Sequence, residues 1–96
     1  MSTASPTAPD HVLAQMREQI TELDRQLVAL VDQRLRLVQR LWRYKEANRI
    51  PVADSGREEW LVRYLTRSNA GRLSQEGLAD LYAHVLELTK QELGGA

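Results

Sequence analysis

From Asp10 to Asn48 the chain has neither glycine nor proline, and apolar residues recur through it at alternating steps of three and four. Leu13, Ile20, Leu27, Arg34 and Leu41 mark one position of a heptad, and Met16, Leu23, Leu30, Leu37 and Tyr44 mark its companion. Such a register is the seam of helices that lie side by side. At 1.5 Å per residue the helix is on the order of 55 Å long, against roughly 30 Å for a small compact domain. The remaining residues of a 96-residue chain are too few to cover that stripe. The pattern therefore predicts a second copy as the cover, in an intertwined or at least extensively packed homodimer.

The rest of the chain reads as two further helices. Pro51 withholds an N–H and pushes Ile50 out of the helical region, so "NRIPVADSG" ends the long helix. The next helix is expected to start at Asp54 or Ser55, with Ser55 and Glu58 forming a capping box, and to stop near Gly71. It carries Trp60, Leu61, Tyr64 and Leu65 at helical spacing. Ser74 is placed to cap the last helix, which the apolar residues Leu78, Leu81, Tyr82, Val85, Leu86 and Leu88 extend to about Leu93, while Gly77 weakens its first turn. No segment alternates with period two. The expected fold is all-α: one very long, one short and one medium helix. Residues 1–9, small, polar and proline-containing, read as a disordered tail, with Asp10 as the cap of the long helix. The helical domain then spans 10–93, and 94–96 form a second tail.

Composition closes off several functions. Thirteen basic residues balance thirteen acidic ones, which is no electrostatic footprint for nucleic acid. Cysteine is absent, so neither disulfides nor thiolate metal sites can form. The N-terminal residues lack the charged and apolar regions of a signal peptide, and no apolar run approaches the roughly 18 residues of a membrane span, so a cytoplasmic protein is expected. His11 and His84 stand without metal-ligating neighbours and read as surface or boundary residues. There is no glycine-rich phosphate loop and no nucleophile elbow. An enzyme built from these residues must work through charge and shape.

Charge is where the seam is broken. Arg34 is the one polar residue among the ten seam positions, and Arg17 and Lys45 each follow a seam residue directly. All three point toward the interior of a helical assembly, where unpaired charge costs several kcal/mol. One reading gives them internal partners among Asp24, Asp32, Glu46 and Glu58, with Arg34 fixing register and oligomeric state. The other gives them a small polyanion, which the forked guanidinium binds well. Asp54, Arg57, Glu58 and Glu59 gather at the start of the second helix, where capping and the helix dipole alone would also favour acidic residues.

Taken together, "MREQITELDRQLVALVDQR", "YKEANRIPVAD" and "REEW" resemble the all-helical class of chorismate mutases, from about Met16 to Glu92. The order and spacing of Arg17, Asp24, Arg34, Lys45, Asp54 and Arg57-Glu58 follow that family's pattern. The resemblance implies a three-helix intertwined homodimer with shared active sites that rearranges chorismate, a small dicarboxylate, to prephenate. It implies no metal and no cofactor, and a place in phenylalanine and tyrosine biosynthesis or related secondary metabolism. Arg34 and Lys45 of one subunit and Arg17 of the other would grip the carboxylates. Lys45 would donate to the ether oxygen as its bond breaks, as an oxyanion site does. Asp54 and Glu58 would receive the ring hydroxyl, Arg57 would support a carboxylate, and Thr89 stands where the family has a serine. The chain departs from the family at Leu93, where a Gln or Glu usually donates to the ether oxygen. By 3.6 residues per turn, Glu92 lies about 60° and Leu93 about 40° from Thr89 around the helix. A distorted last turn could bring Glu92, or its neighbour Gln91, into the site. Loss of this donor would cost roughly 10²–10³ in rate and would leave room for a partner enzyme that activates this one.

Two other readings stay open on the sequence. The same pocket could serve 4-amino-4-deoxychorismate or isochorismate, as a mutase or a pyruvate lyase. Alternatively, the chain could be a helical dimerisation module without activity. Arg34→Leu separates catalyst from module. For an enzyme, turnover is lost while thermal stability is kept or raised. For a module, stability rises and function persists.

Overall fold

The computed structural model describes residues 4–94, and the side chains of 9–94. Three α-helices follow one another, α1 (Ala4–Ala47), α2 (Ser55–Ser68) and α3 (Gln75–Thr89), and a π-helical turn (Lys90–Gly94) closes the described chain. There is no strand among the described residues, so the all-α, three-helix expectation holds. The chain divides into two compact units, Met1–Arg34 and Leu35–Ala96.

The first unit is a stretch of α1 with almost nothing covered. Among its described side chains only Val31 and Arg34 are half-buried. Leu13, Met16, Ile20, Leu23, Leu27 and Leu30 all stand exposed. The helix begins at Ala4, six residues before the Asp10 cap that the sequence suggested, so the stretch read as a tail up to residue 9 is helical from Ala4. Residues 1–3 lie outside the described residues. Pro6 falls among the first four positions, whose N–H groups have no acceptor in the helix anyway. Pro9 lies inside the helix and gives up a backbone bond there.

The second unit holds the end of α1, α2, α3 and the π turn. α1 ends at a cap of two backbone bonds: Ile50 N–H donates to Lys45 O at 2.8 Å and Arg49 N–H to Glu46 O at 3.3 Å. This is the Schellman pattern, which requires a left-handed residue at the turn, and Arg49 supplies it at φ 56°. Pro51 follows directly, as expected for a helix that must stop.

α2 starts one residue earlier than a capping box at Ser55 would require. Asp54 is the cap, its Oδ1 accepting from Arg57 N–H at 3.0 Å, and Ser55 is the first helical residue. The carboxylate thus takes the cap, and Glu58 falls one position beyond the reach of a capping box. α2 is closed by "SNAG": it stops at Ser68, and Asn69 rather than Gly71 organises the turn. Its amide donates to Leu73 O at 2.6 Å and its Oδ1 accepts from Gly71 N–H at 3.1 Å. Ser74 caps α3 as the sequence indicated, accepting from Gly77 N–H at 2.9 Å. Gly77 does more than weaken that turn: a Cβ there would lie 3.0 Å from Leu73 Cδ1 and 3.1 Å from Ser74 Oγ. The absent side chain is what lets the cap close.

α2 and α3 pack on each other. Leu61, Val62, Leu65 and Thr66 form the half-buried stripe of α2, while Tyr82, Val85, Leu86 and the buried Leu78 and Thr89 form that of α3. Both stripes repeat at helical spacing, which is why these two segments fold against each other. The α-helix does not continue to Leu93. Lys90 N–H is shared between Leu86 O and Glu87 O, and the chain widens into the π turn. Of the tail read at 94–96, Gly94 ends this turn, and residues 95 and 96 lie outside the described residues.

Arg49 makes a direct check on the helix end. A left-handed non-glycine residue costs about 1–2 kcal/mol, partly offset in a glycine variant by the freer unfolded chain. Arg49→Gly should therefore raise stability by ~0.5–1 kcal/mol and the melting temperature by a few degrees, and Arg49→Val should lower both. Calorimetry showing the opposite order would remove the Schellman assignment.

Candidate active site

Most of the residues singled out from the sequence lie in the second unit. Lys45, in the last turn of α1, is half-buried, and its Nζ donates to Val52 O at 3.4 Å. That bond ties the ammonium to the loop leading into Asp54. Asp54 is exposed and held as the α2 cap. Arg57 lies in the first turn of α2, its Cζ 4.4 Å above the centre of the Trp60 ring, which stacks on Tyr64 at 5.0 Å and 9°. The cation is thereby steadied on an aromatic face.

Glu58 is half-buried and reaches across to the end of α3, where Lys90 Nζ stands 3.4 Å from its Oε1. Thr89, beside that lysine, is buried, and its hydroxyl donates to Val85 O at 2.8 Å. A polar residue in the covered stripe of α3 is thus satisfied at least by its own helix. Glu58 and Lys90 accordingly join the first turn of α2 to the residue that follows Thr89 at the end of α3. In the π turn, Gln91 and Glu92 are exposed and Leu93 is half-buried. The distortion that the sequence reading needed to carry Glu92 inward is present, but it is Leu93 that it leaves covered. A Cβ at Gly94 would come within 3.9 Å of Trp42 Cζ3, so the turn ends against the last part of α1.

The remaining two cations lie in the first unit. Arg34 is half-buried and engaged within the chain, so it does not stand as a bare charge. Arg17 is exposed beside Glu18, Thr21, Glu22 and Arg25, which line a shallow groove with it. A second shallow groove, between α2 and α3, takes in Glu58 with Ser55, Glu59, Val62, Arg63 and Leu86. Each groove includes one candidate residue only. His84 is exposed, its Nδ1 2.7 Å from Asp80 O. Among the described residues no group of three or more carboxylate or imidazole side chains is placed to hold a metal ion. No described helix is long and apolar enough to cross a membrane.

Sequence reasoning missed Lys90. It lies next to Thr89 but pairs with a residue 32 positions away, and periodicity carries no signal for a contact of that range. It also missed the Val52 carbonyl, since a backbone acceptor leaves no trace in residue type.

The profile of chorismate mutase type II matches residues 16–92. The fold is similar to that of a chorismate mutase from Thermus thermophilus, solved in two forms. Form I is 27% identical, with a TM-score of 0.77 over 80% of this chain and 96% of that one. Form II is 26% identical, with a TM-score of 0.78 over 82% of this chain and 90% of that one. Among proteins of curated function none matches. The chain belongs to the chorismate mutase type II family. That family is one of isomerases, as the resemblance in the sequence implied.

Asp54 can be tested as a cap without reference to activity. Asp54→Asn keeps an oxygen for Arg57 N–H and should leave stability within about 0.5 kcal/mol, whereas Asp54→Ala should cost about 1 kcal/mol. Urea titration of the two variants distinguishes them.

Proposed function

We propose that this chain is a chorismate mutase that converts chorismate to prephenate in a homodimer with shared sites. The carrying observation is the match over residues 16–92, which spans Arg17, Arg34, Lys45, Asp54, Arg57, Glu58 and Thr89. In this reading Arg34 and Lys45 of one subunit and Arg17 of the partner subunit hold the two carboxylates. Binding the flexible enolpyruvyl arm over the ring removes rotational freedom that the free substrate must lose to react. Lys45, already half-desolvated at the end of α1, donates to the ether oxygen as charge develops there, and a pre-placed cation does so without reorganising water. The rearrangement is intramolecular, transfers no proton and forms no covalent intermediate, which suits a chain with no cysteine nucleophile and no nucleophile elbow. Asp54 and Glu58 receive the ring hydroxyl, and Arg57 supports a carboxylate.

The dimer is supported by the seam. Leu13, Met16, Ile20, Leu23, Leu27, Leu30, Leu37, Leu41 and Tyr44 are all exposed in the isolated chain, and a self-complementary heptad stripe is best covered by another copy of itself. The two grooves, each with a single candidate residue, fit a site that one chain does not complete. At Leu93 the site lacks the usual donor, so the rate of the isolated protein is expected to be low, with Glu92 or Gln91 or an activating partner enzyme able to compensate. A cytoplasmic location, and a role in aromatic amino acid or related secondary metabolism, go with the same reading.

The test is chorismate depletion followed by ultraviolet absorbance on the purified protein, with the product identified by mass spectrometry. Prephenate is expected, from a species that sediments as a dimer. Mixing equal amounts of inactive Arg17→Ala and Arg34→Ala proteins under subunit exchange should restore about a quarter of the sites, since half of the dimers are then mixed and each mixed dimer has one intact site. A different product, or no product and no binding, would reject the reading, and failure of the mixture to recover would place Arg17 outside the shared site.

A further inference from the structure

Glu58 receives a ring substituent in the reading above, and on that reading rests the following step. A bare carboxylate at that place serves two kinds of ring equally well in principle. It accepts a hydrogen bond from a hydroxyl, and it forms an ion pair with an ammonium. What distinguishes the two is the charge around the carboxylate. In this chain Lys90 Nζ lies 3.4 Å from Glu58 Oε1, joining the first turn of α2 to the residue that opens the π turn. We propose that Lys90 is a specificity-determining residue that sets the Glu58 end of the site for a ring hydroxyl and against a ring ammonium.

The pair itself adds little to stability. Its side chains are 54% and 34% exposed, and such pairs contribute about 0–1 kcal/mol. Its effect on a bound ring is another matter. With Oε1 faced by Lys90, Oε2 is the oxygen that a ring hydroxyl meets. A neutral donor loses nothing to the lysine, whereas a ring ammonium would stand within a few ångströms of a second cation. Like charges at that range repel strongly even at the effective dielectric of a protein surface. The lysine also offsets the negative charge of Glu58, which would otherwise oppose a substrate carrying two carboxylates. Both effects favour a dianion with a hydroxyl. Lys90 is anchored for this: Thr89 beside it is buried, and its own N–H is held by the carbonyls of Leu86 and Glu87.

The experiment compares wild type, Lys90→Arg and Lys90→Met on chorismate and on 4-amino-4-deoxychorismate, which differs in carrying an amine in place of the ring hydroxyl. Values of kcat/KM are measured at low ionic strength and at 1 M salt, and dissociation constants for both compounds by calorimetry. Lys90→Met should move the preference toward the amine by at least about tenfold, equivalent to about 1.4 kcal/mol. Lys90→Arg should keep the wild-type preference. The shift should shrink at 1 M salt, where the screening length is about 3 Å. A loss that is equal for both compounds marks a structural role and overturns the proposal, as does a preference that stays within twofold of wild type. If chorismate binds without turning over, the mutase reading fails, and the calorimetric ratio alone then decides for or against Lys90. If neither compound binds, both fall.

Discussion

Nine apolar side chains along α1 stand at 45% to 63% of full exposure in the single chain, and every other feature depends on how they are covered. Completing the burial of each contributes on the order of 1–2 kcal/mol, so the seam as a whole is comparable to the entire stability of an ordinary small domain, about 5–15 kcal/mol. α2 and α3 bury only Leu78 and Thr89 between them, with a thin half-buried stripe on either side. Such a core is too slight to stabilise the long helix. In the proposed dimer, folding and association are therefore one event, and stability rises with protein concentration.

Arg34 has to be seen within that constraint. A guanidinium in an apolar seam weakens the seam, and a chain selected for stability alone would carry Leu there. Arg34 is half-buried and engaged within the chain; in the proposed site it is the carboxylate clamp, at a cost that the nine apolar seam residues carry. Lys45 is treated differently: it lies in the last turn of the same helix, where a cation also favours the helix dipole, and its Nζ is held by Val52 O.

What could be read from the sequence was local. The long helix, its stop before Pro51 and the Ser74 cap each rest on residues a few positions apart, and each stands in the structure. The family pattern was legible for the same reason, since Arg17, Arg34 and Lys45 keep a fixed spacing on one helix. The capping choice at α2 turned on a single residue, because Asp54 and Ser55 are both good caps and only the fold decides between them. The start at Ala4 was hidden by Pro6 and Pro9, which read as helix-avoiding, although the first turn accepts Pro6 and the helix runs on through Pro9 at the loss of one backbone bond. "KQELG" gave no warning of a π turn, since these residues suit an α-helix as well. Lys90 and Glu58 meet only because α2 packs on α3.

Asp54 carries two obligations at once. Its Oδ1 receives the N–H that starts α2, and in the proposed site the same carboxylate faces substrate. Ser, Thr and Asn would each satisfy the helix, yet none brings a negative charge. A library that varies this position and selects for thermal tolerance should accept all of them, and one that selects for growth dependent on making the product, with none supplied, should not. The backbone thus conceals a functional constraint behind a substitution pattern that looks permissive, and the difference between the two libraries measures how much of the residue belongs to chemistry.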